Sequence, residues 1–376
     1  MELAQMPSGA HSIVVSPYLE RAAARVTESR PSLRSAATYY PAFDWMRISL
    51  ALMVMLHHAD LFPWGRLGHF RVQVFFALSG WLIGRILLRT SRADLPRFYF
   101  GRVIRIWIPY LLALALLIAL SLLRQPITPR FLEFVLYKLT FVYNLFGTSQ
   151  LASAQHEMPL FGTGNHFWSI CAEEQFYLFA PLLLLVLPRG LGRSPWLWLA
   201  LAGSGLFSSI SLGVAASLAH ARWGALHLQP RVRLGLLVTL ACGVTLLCVF
   251  DGWYNQLVPL IAISIVLLLA RPGAKTELGE FFGGMSYQLY LNHWIGLFVA
   301  HAVAERLGIR PIAATLLLGF PLSFTLAALL YVLVDKRALA RRELWYTPAR
   351  ARVAMIAAYA TTSVGLLAGA LIALAR

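Results

Sequence analysis

The sequence predicts an all-α fold, a polytopic membrane helix bundle of about ten transmembrane helices, on three observations. Of 376 residues, 59% are apolar and 13% are charged, and mean hydropathy is +0.68, a balance that ordinary soluble domains do not reach. The apolar residues gather in runs of the length a helix needs to cross about 30 Å of hydrocarbon, near 20 residues at about 1.5 Å each. The basic residues collect between those runs, as they do where they set membrane orientation.

Residues 1–40 are polar, hold Arg21, Arg25, Arg30 and Arg34, and lack a short apolar core ending in a small-residue cleavage site, so an uncleaved cytoplasmic tail is expected. Clear apolar runs follow at 45–61, 72–88, 107–123, 167–187, 196–218, 234–250, 256–270, 284–304, 312–334 and 353–375. Residues 131–146 would make an eleventh, but Glu133, Lys138 and Asn144 interrupt them and an interfacial helix fits better. Loops are short, with no evident repeat. The division is therefore a tail (1–40), a membrane domain (41–335), a basic cytoplasmic loop (336–350) and an additional C-terminal helix (351–376).

Two arginine-rich loops should face the cytoplasm: Arg89, Arg92, Arg97, Arg102 and Arg105 crowd one, and Lys336, Arg337, Arg341, Arg342, Arg350 and Arg352 the other. Seven clear runs separate them, an odd number where an even one is required. Either 131–146 crosses, or the stretch 196–223, too short to cross twice, is re-entrant; the second is favoured. The net charge of +16 does not imply nucleic acid, because the basic residues form no stripe. Cys171, Cys242 and Cys248 lie inside apolar runs, so neither a disulfide framework nor a CxxC metal or redox site is read, and no metal is expected.

Ionisable groups inside apolar runs cost several kcal/mol unless paired or wet (about 2.5–3.5 kcal/mol each on insertion scales), so they mark where function would lie. In the first run Arg47 and His58 are eleven residues apart; at about 100° per residue they share a face, while His57 points about 80° away. The same spacing separates Arg47 and His58 by about 16 Å along the helix. Asp44, one turn from Arg47, can pair with it. Snorkelling of Arg47 and interfacial histidines is the structural alternative. Ser79-Gly80 lets a backbone or thin chain approach. Arg102 and Arg105 share a face and suit phosphate oxygens, or anchor lipid headgroups. Ser169, Glu173 and Tyr177 line one helix face with His166 one turn above, and adjacent Glu174 makes two carboxylates at a helix start. Ser286, Tyr290 and His293 form another stripe, where a helix-to-helix hydrogen bond is the plainer role for His293.

Together these segments resemble the acyltransferase-3 family of bacterial membrane O-acyltransferases. Asp44-x-x-Arg47 precedes His58 by the same spacing, and then come Phe75-Phe76-x-Leu78-Ser79-Gly80, Arg102-x-x-Arg105-Ile106-x-x-Pro109, Trp168-Ser169-x-x-x-Glu173-Glu174-Gln175-Phe176-Tyr177 and Ser286-Tyr287-x-x-Tyr290-Leu291-x-His293, over residues 43–335. The resemblance implies an integral protein of the bacterial inner membrane with acyl-CoA, acetyl-CoA in the first instance, as donor from the cytoplasm. The acceptor would be a hydroxyl of a surface polysaccharide, glycolipid or other sugar. It implies that His58 is the catalytic group and that Arg47, Arg102 and Arg105 hold the donor with Ser79. Two departures stand out: the pattern Gly-Val-Asp becomes Arg71-Val72-Gln73, and Glu-Lys-Pro becomes Asp335-Lys336-Arg337.

His58 would be a general base on the acceptor hydroxyl, or an acyl-carrying nucleophile. Glu173 would orient His58 or bind acceptor hydroxyls. Trp168, Ser169, Tyr177, Tyr290 and His293 would line the acceptor site, with membrane lipid as the surroundings. The rival reading is a transporter or channel in which Arg47, Glu173 and the histidines line a solute or proton path; no inverted repeat supports it.

Overall fold

A computed structural model describes residues 38–61, 64–205 and 207–376, and among them there is helix but no strand. Most of the polar tail lies outside the described residues. Along the chain the main helices are α1 (Pro41–His58), α2 (Leu67–Leu88), α3 (Arg92–Leu122), α4 (Pro129–Leu139), α5 (Asn165–Val186), α6 (Pro195–Gly203), α7 (Ser208–Trp223), α8 (Pro230–Val249), α9 (Tyr254–Leu269), α10 (Glu277–Leu307), α11 (Pro311–Trp345) and α12 (Pro348–Leu374). Six of them, α2, α3, α5, α8, α11 and α12, are long and apolar enough to span a bilayer. The protein is a membrane-spanning helical bundle. α1 and α10, with 18 and 31 residues, reach spanning length but carry more polar residues, and both line the candidate site.

The doubtful run 131–146 does not form a spanning helix. Thr128 caps α4 by accepting the Phe131 N–H, and the helix stops after 11 residues, about 16 Å. Short helical turns follow up to α5. Lys138 of α4 is 2% exposed; its Nζ donates to the Gly164 carbonyl at 2.7 Å and lies 3.5 Å from the Tyr143 ring centroid. This contact ties α4 to the turn that opens α5. Burial pushes the Lys138 amine down from 10.5 to about 7.

The run 196–218 is broken. α6 has nine residues and α7 sixteen, with Phe207 between them in the left-handed region at φ 51°. α7 runs alongside α2 in the same sense: Ser209 Oγ donates to Gln73 Oε1 at 2.6 Å, Gly213 meets Gly80, and Ser217 meets Gly84. α5 also runs with α2, since Ser79 bonds Glu173 near its start and Arg92, just beyond α2, bonds the Leu185 carbonyl near its end. With α5 and α7 both ending where α2 ends, α6 and α7 form a hairpin that returns the chain to the side it left. Without that pair, six apolar runs lie between the two arginine-rich loops.

Small residues set the helix spacing, as they must where lipid offers no hydrophobic drive. A Cβ on Gly80 would lie 2.0 Å from the Ile210 carbonyl oxygen, and one on Gly213 2.3 Å from that of Ala77. α10 packs on α1 through Gly283, whose Cβ would meet Asp44 Cβ at 2.5 Å, and on α11 through Gly296 against Ser323. The additional helix α12 is joined to the rest: Tyr359 and Tyr99 share a hydroxyl contact of 2.8 Å, and Tyr359 donates to the Leu178 carbonyl. Residues 336–345, expected as loop, continue α11 as helix, and Arg97 pairs with Glu343 at 2.6 Å.

Gly80→Leu should therefore lower stability by about 1–3 kcal/mol or more, read as a fall in unfolding temperature in detergent. Gly235→Ala, at a helical position with open space around it, should be neutral or raise stability by up to about 1 kcal/mol. The Lys138 shift has a sign. Unfolded lysine holds its proton more tightly than the folded one, so stability should rise with pH between about 7 and 10.5, by up to about 1.4 kcal/mol per unit. Lys138→Met should flatten that slope in unfolding temperatures taken at pH 7, 8 and 9.

Candidate active site

Polar side chains of α1, α2, α3, α5 and α10 meet inside the bundle in two groups. The first gathers arginines. Arg47 pairs with Asp44 at 3.0 Å, and Arg105 lies within electrostatic reach of Arg47, Arg102, Glu173 and Tyr177. The three donor-site arginines named from sequence are thus brought together. Arg102 and Arg105 differ in exposure. Residues Val103–Trp107 form a π-helical turn, a widening found mostly at functional sites. It leaves Arg102 half-buried, 5.5 Å from the Phe98 and Tyr177 ring centroids, while Arg105 is exposed.

Glu173 connects this group to α2. Its Oε1 accepts a 2.5 Å hydrogen bond from Ser79 and another from Tyr177. Glu174 points elsewhere, buried against Trp107, whose Nε1 donates to it at 2.9 Å. The adjacent carboxylates therefore divide: Glu174 ties α5 to α3, and Glu173 faces the candidate site. Glu173 makes no hydrogen bond to His58 among the described residues, so the orienting partner expected of it is found in another residue.

That residue is His293. His58 Nδ1 and His293 Nε2 are 2.8 Å apart. On the other edge of the His293 ring, Nδ1 lies 3.1 Å from the Leu289 carbonyl and 3.0 Å from that of Tyr290. A carbonyl oxygen only accepts, so Nδ1 of His293 carries the proton and its Nε2 holds a lone pair. His58 must then donate from Nδ1, which leaves the lone pair of His58 on Nε2. The geometry prepares one imidazole nitrogen as a proton acceptor, with its ring oriented by a second imidazole. His58 is exposed, whereas His293 is fully buried.

His166 completes a cluster of three imidazoles, with ring centroids 5.5 Å from His58 and 5.0 Å from His293. Its position one turn above Ser169 was legible in the sequence, but nothing there indicated that α1 and α10 would converge on it. Beneath it Ser169 and Tyr290 share a hydroxyl contact of 2.6 Å, and Tyr290 donates to the His166 carbonyl. Trp168 stacks on His69 at 6.1 Å, on the α2 side. Ser286 bonds only its own helix, at the Gly283 carbonyl. Two surface clefts of about 580 and 590 Å³, lined by Arg130 and Arg376 and by His301 and Glu305, contain none of the site residues named from sequence.

The ligating nitrogens of the three histidines lie within 4.8 Å of one another, close enough to suggest a metal. Two features oppose it. The 2.8 Å separation of His58 and His293 is a hydrogen bond, shorter than the roughly 3.3 Å between two ligands of a tetrahedral zinc at about 2.0–2.1 Å. The buried guanidinium of Arg71 also lies within electrostatic reach of all three rings, where it repels a dication. Both features weigh against a metal held between these three rings.

A family model described as an acyltransferase domain matches residues 40–332. Among curated proteins, the peptidoglycan O-acetyltransferase OatA of Listeria monocytogenes is 28% identical over 183 residues, 47% of this chain and 29% of its own length. The O-acetyltransferase OatA of Staphylococcus aureus is 27% identical over 154 residues, 40% of this chain and 25% of its own. The chain thus spans under a third of the length of these relatives, and no solved structure matches it. The family match covers most of the chain, including α1, α2, α3, α5 and α10, the helices that bring the arginines and imidazoles together, and the protein is a member of the acyltransferase-3 family.

Proposed function

We propose that this protein transfers an acyl group, acetyl in the first instance, from cytoplasmic acyl-CoA to a hydroxyl of a surface polysaccharide, glycolipid or other sugar-bearing acceptor. The observation that carries the reading is the chain of contacts from the Leu289 and Tyr290 carbonyls through His293 to His58, which leaves His58 Nε2 as a free base. O-acetyl transfer by the two relatives bearing that name supports it. Arg105, Arg102 and Arg47 supply the cationic surface for donor phosphates. Ser79, Glu173 and Tyr177 lie between this surface and the imidazoles, along the path for the donor's arm.

In the transfer, His58 Nε2 takes the proton of the acceptor hydroxyl as its oxygen attacks the thioester carbonyl. The carbon–sulfur bond breaks, and His58 returns the proton to the departing thiolate, so the base is regenerated. His293 positions His58 and holds its tautomer. Ser169, Tyr290 and Trp168 form the wall against which the acceptor is placed.

The topology that suits this reading has nine crossings, with α6 and α7 as a re-entrant hairpin accounting for the tenth apolar run. The tail and both arginine-rich loops are then cytoplasmic, in a bacterial inner membrane. α1 starts inside with Arg47 and ends outside with His58, so the donor and acceptor arrive from opposite faces.

Purified protein with acetyl-CoA tests the enzyme reading. Binding, or slow release of free CoA, is expected; silence in that assay with solute flux in vesicles would favour transport instead. His58→Ala should lower transfer by at least about 10²–10⁴-fold with the protein still inserted and abundant, and full activity in that variant would remove His58 from the reaction. His293→Ala should retain donor binding but reduce turnover by about 10–100-fold.

A further inference from the structure

Beyond His58, one cation near the imidazoles pairs with no carboxylate among the described residues. Arg71 is 2% exposed. Its Nη1 donates to the Met53 carbonyl at 2.7 Å, and its Nε is buried without a hydrogen-bond partner. Among the described residues it forms no ion pair with a carboxylate. The arginines at the other end of the site differ, since Arg47 pairs with Asp44 and Arg105 lies near Glu173 and Asp335. Around Arg71 stand only neutral or basic partners: His57, His58, His166, His293 and Tyr290. Its neighbour Gln73 is already engaged with His69 and Ser209. The sequence departs from the family pattern at these two positions.

A buried guanidinium without an anion is costly, and the cost is recovered when a ligand brings one. The geometry points to Arg71 as a specificity residue that binds a carboxylate on the acceptor sugar, within reach of the imidazole that activates the sugar's hydroxyl. This rests on His58 being the acceptor-side base. A carboxylate fits one guanidinium in charge and in its two-point fork, whereas a doubly charged phosphate would call for further cations; among the described residues Arg71 alone reaches all three rings, and Lys138, its amine lowered by burial, reaches only His166. A transient negative charge on the reacting carbonyl oxygen could also use Arg71, but it would leave the guanidinium unpaired in the resting complex.

The test needs no acyl donor, so it is independent of whether acetyl-CoA is the true donor. Full-length protein in detergent is treated with diethyl pyrocarbonate, and modification of His58 is followed by peptide mass spectrometry at constant ionic strength. The probes are sodium glucuronate, its neutral methyl ester and glucose. Glucuronate should slow His58 modification at least five-fold, the ester and glucose less than two-fold. Arg71→Gln should abolish the difference and Arg71→Lys keep part of it; if Arg71→Gln does not fold, the acid and ester comparison on the unaltered protein decides. Equal protection by acid and ester, no protection by any probe, or undiminished protection in Arg71→Gln would overturn the proposal. Acetyl transfer measured in parallel separates the two readings: intact transfer with no selective protection defeats only the Arg71 assignment.

Discussion

An imidazole buried inside a membrane bundle has little water to bond, and the packing around the candidate site follows from satisfying the buried ring of His293. His293 spends its Nδ1 proton on its own helix, at the Leu289 and Tyr290 carbonyls, so its remaining nitrogen must find a donor across a helix interface. The donor is His58, on α1. For the rings to meet at 2.8 Å, α1 and α10 must approach closely, and Gly283 permits it by presenting no side chain to Asp44. Ser323 of α11 caps the His293 carbonyl in turn. A contact between two side chains thus specifies the packing of three helices.

The same accounting explains why the two ends of the site differ. At the arginine end, carboxylates are present and each is held: Asp44 by Arg47, Glu173 by Ser79 and Tyr177, and Asp335 by Gln288. Charge there is balanced, and Arg105 remains exposed. At the imidazole end Arg71 reaches all three rings and pairs with no carboxylate among the described residues.

Much of this was legible in the sequence because helical spacing is local. Ser169, Glu173 and Tyr177 four residues apart, and Tyr290 and His293 three apart, do face inward, and Arg47 and His58 do lie eleven residues along one helix. What was not legible depends on departures from a regular helix or on partners distant in the chain. The π turn at Val103–Trp107, where a regular helix is expected, is one such departure. The break at Phe207 has no proline to announce it; the parity of the arginine-rich loops favours a re-entrant stretch, but its turning point comes from the backbone at Phe207 and the contacts with α2. Glu173 is expected to orient His58 or to bind acceptor hydroxyls, and its partners in the structure are the hydroxyls of Ser79 on α2 and Tyr177 on its own helix.

His166 and Arg71 show the limit most directly. Each is a single polar residue at the outer portion of its helix, and periodicity cannot distinguish a headgroup contact from a catalytic wall. Their meaning comes from convergence: α1, α5 and α10 each deliver one imidazole to a common space, and α2 delivers the guanidinium. If Arg71 were merely a snorkelling residue, its head would extend toward water. Instead it turns inward to the Met53 carbonyl and is 2% exposed, so the helix carries its charge toward the three imidazoles.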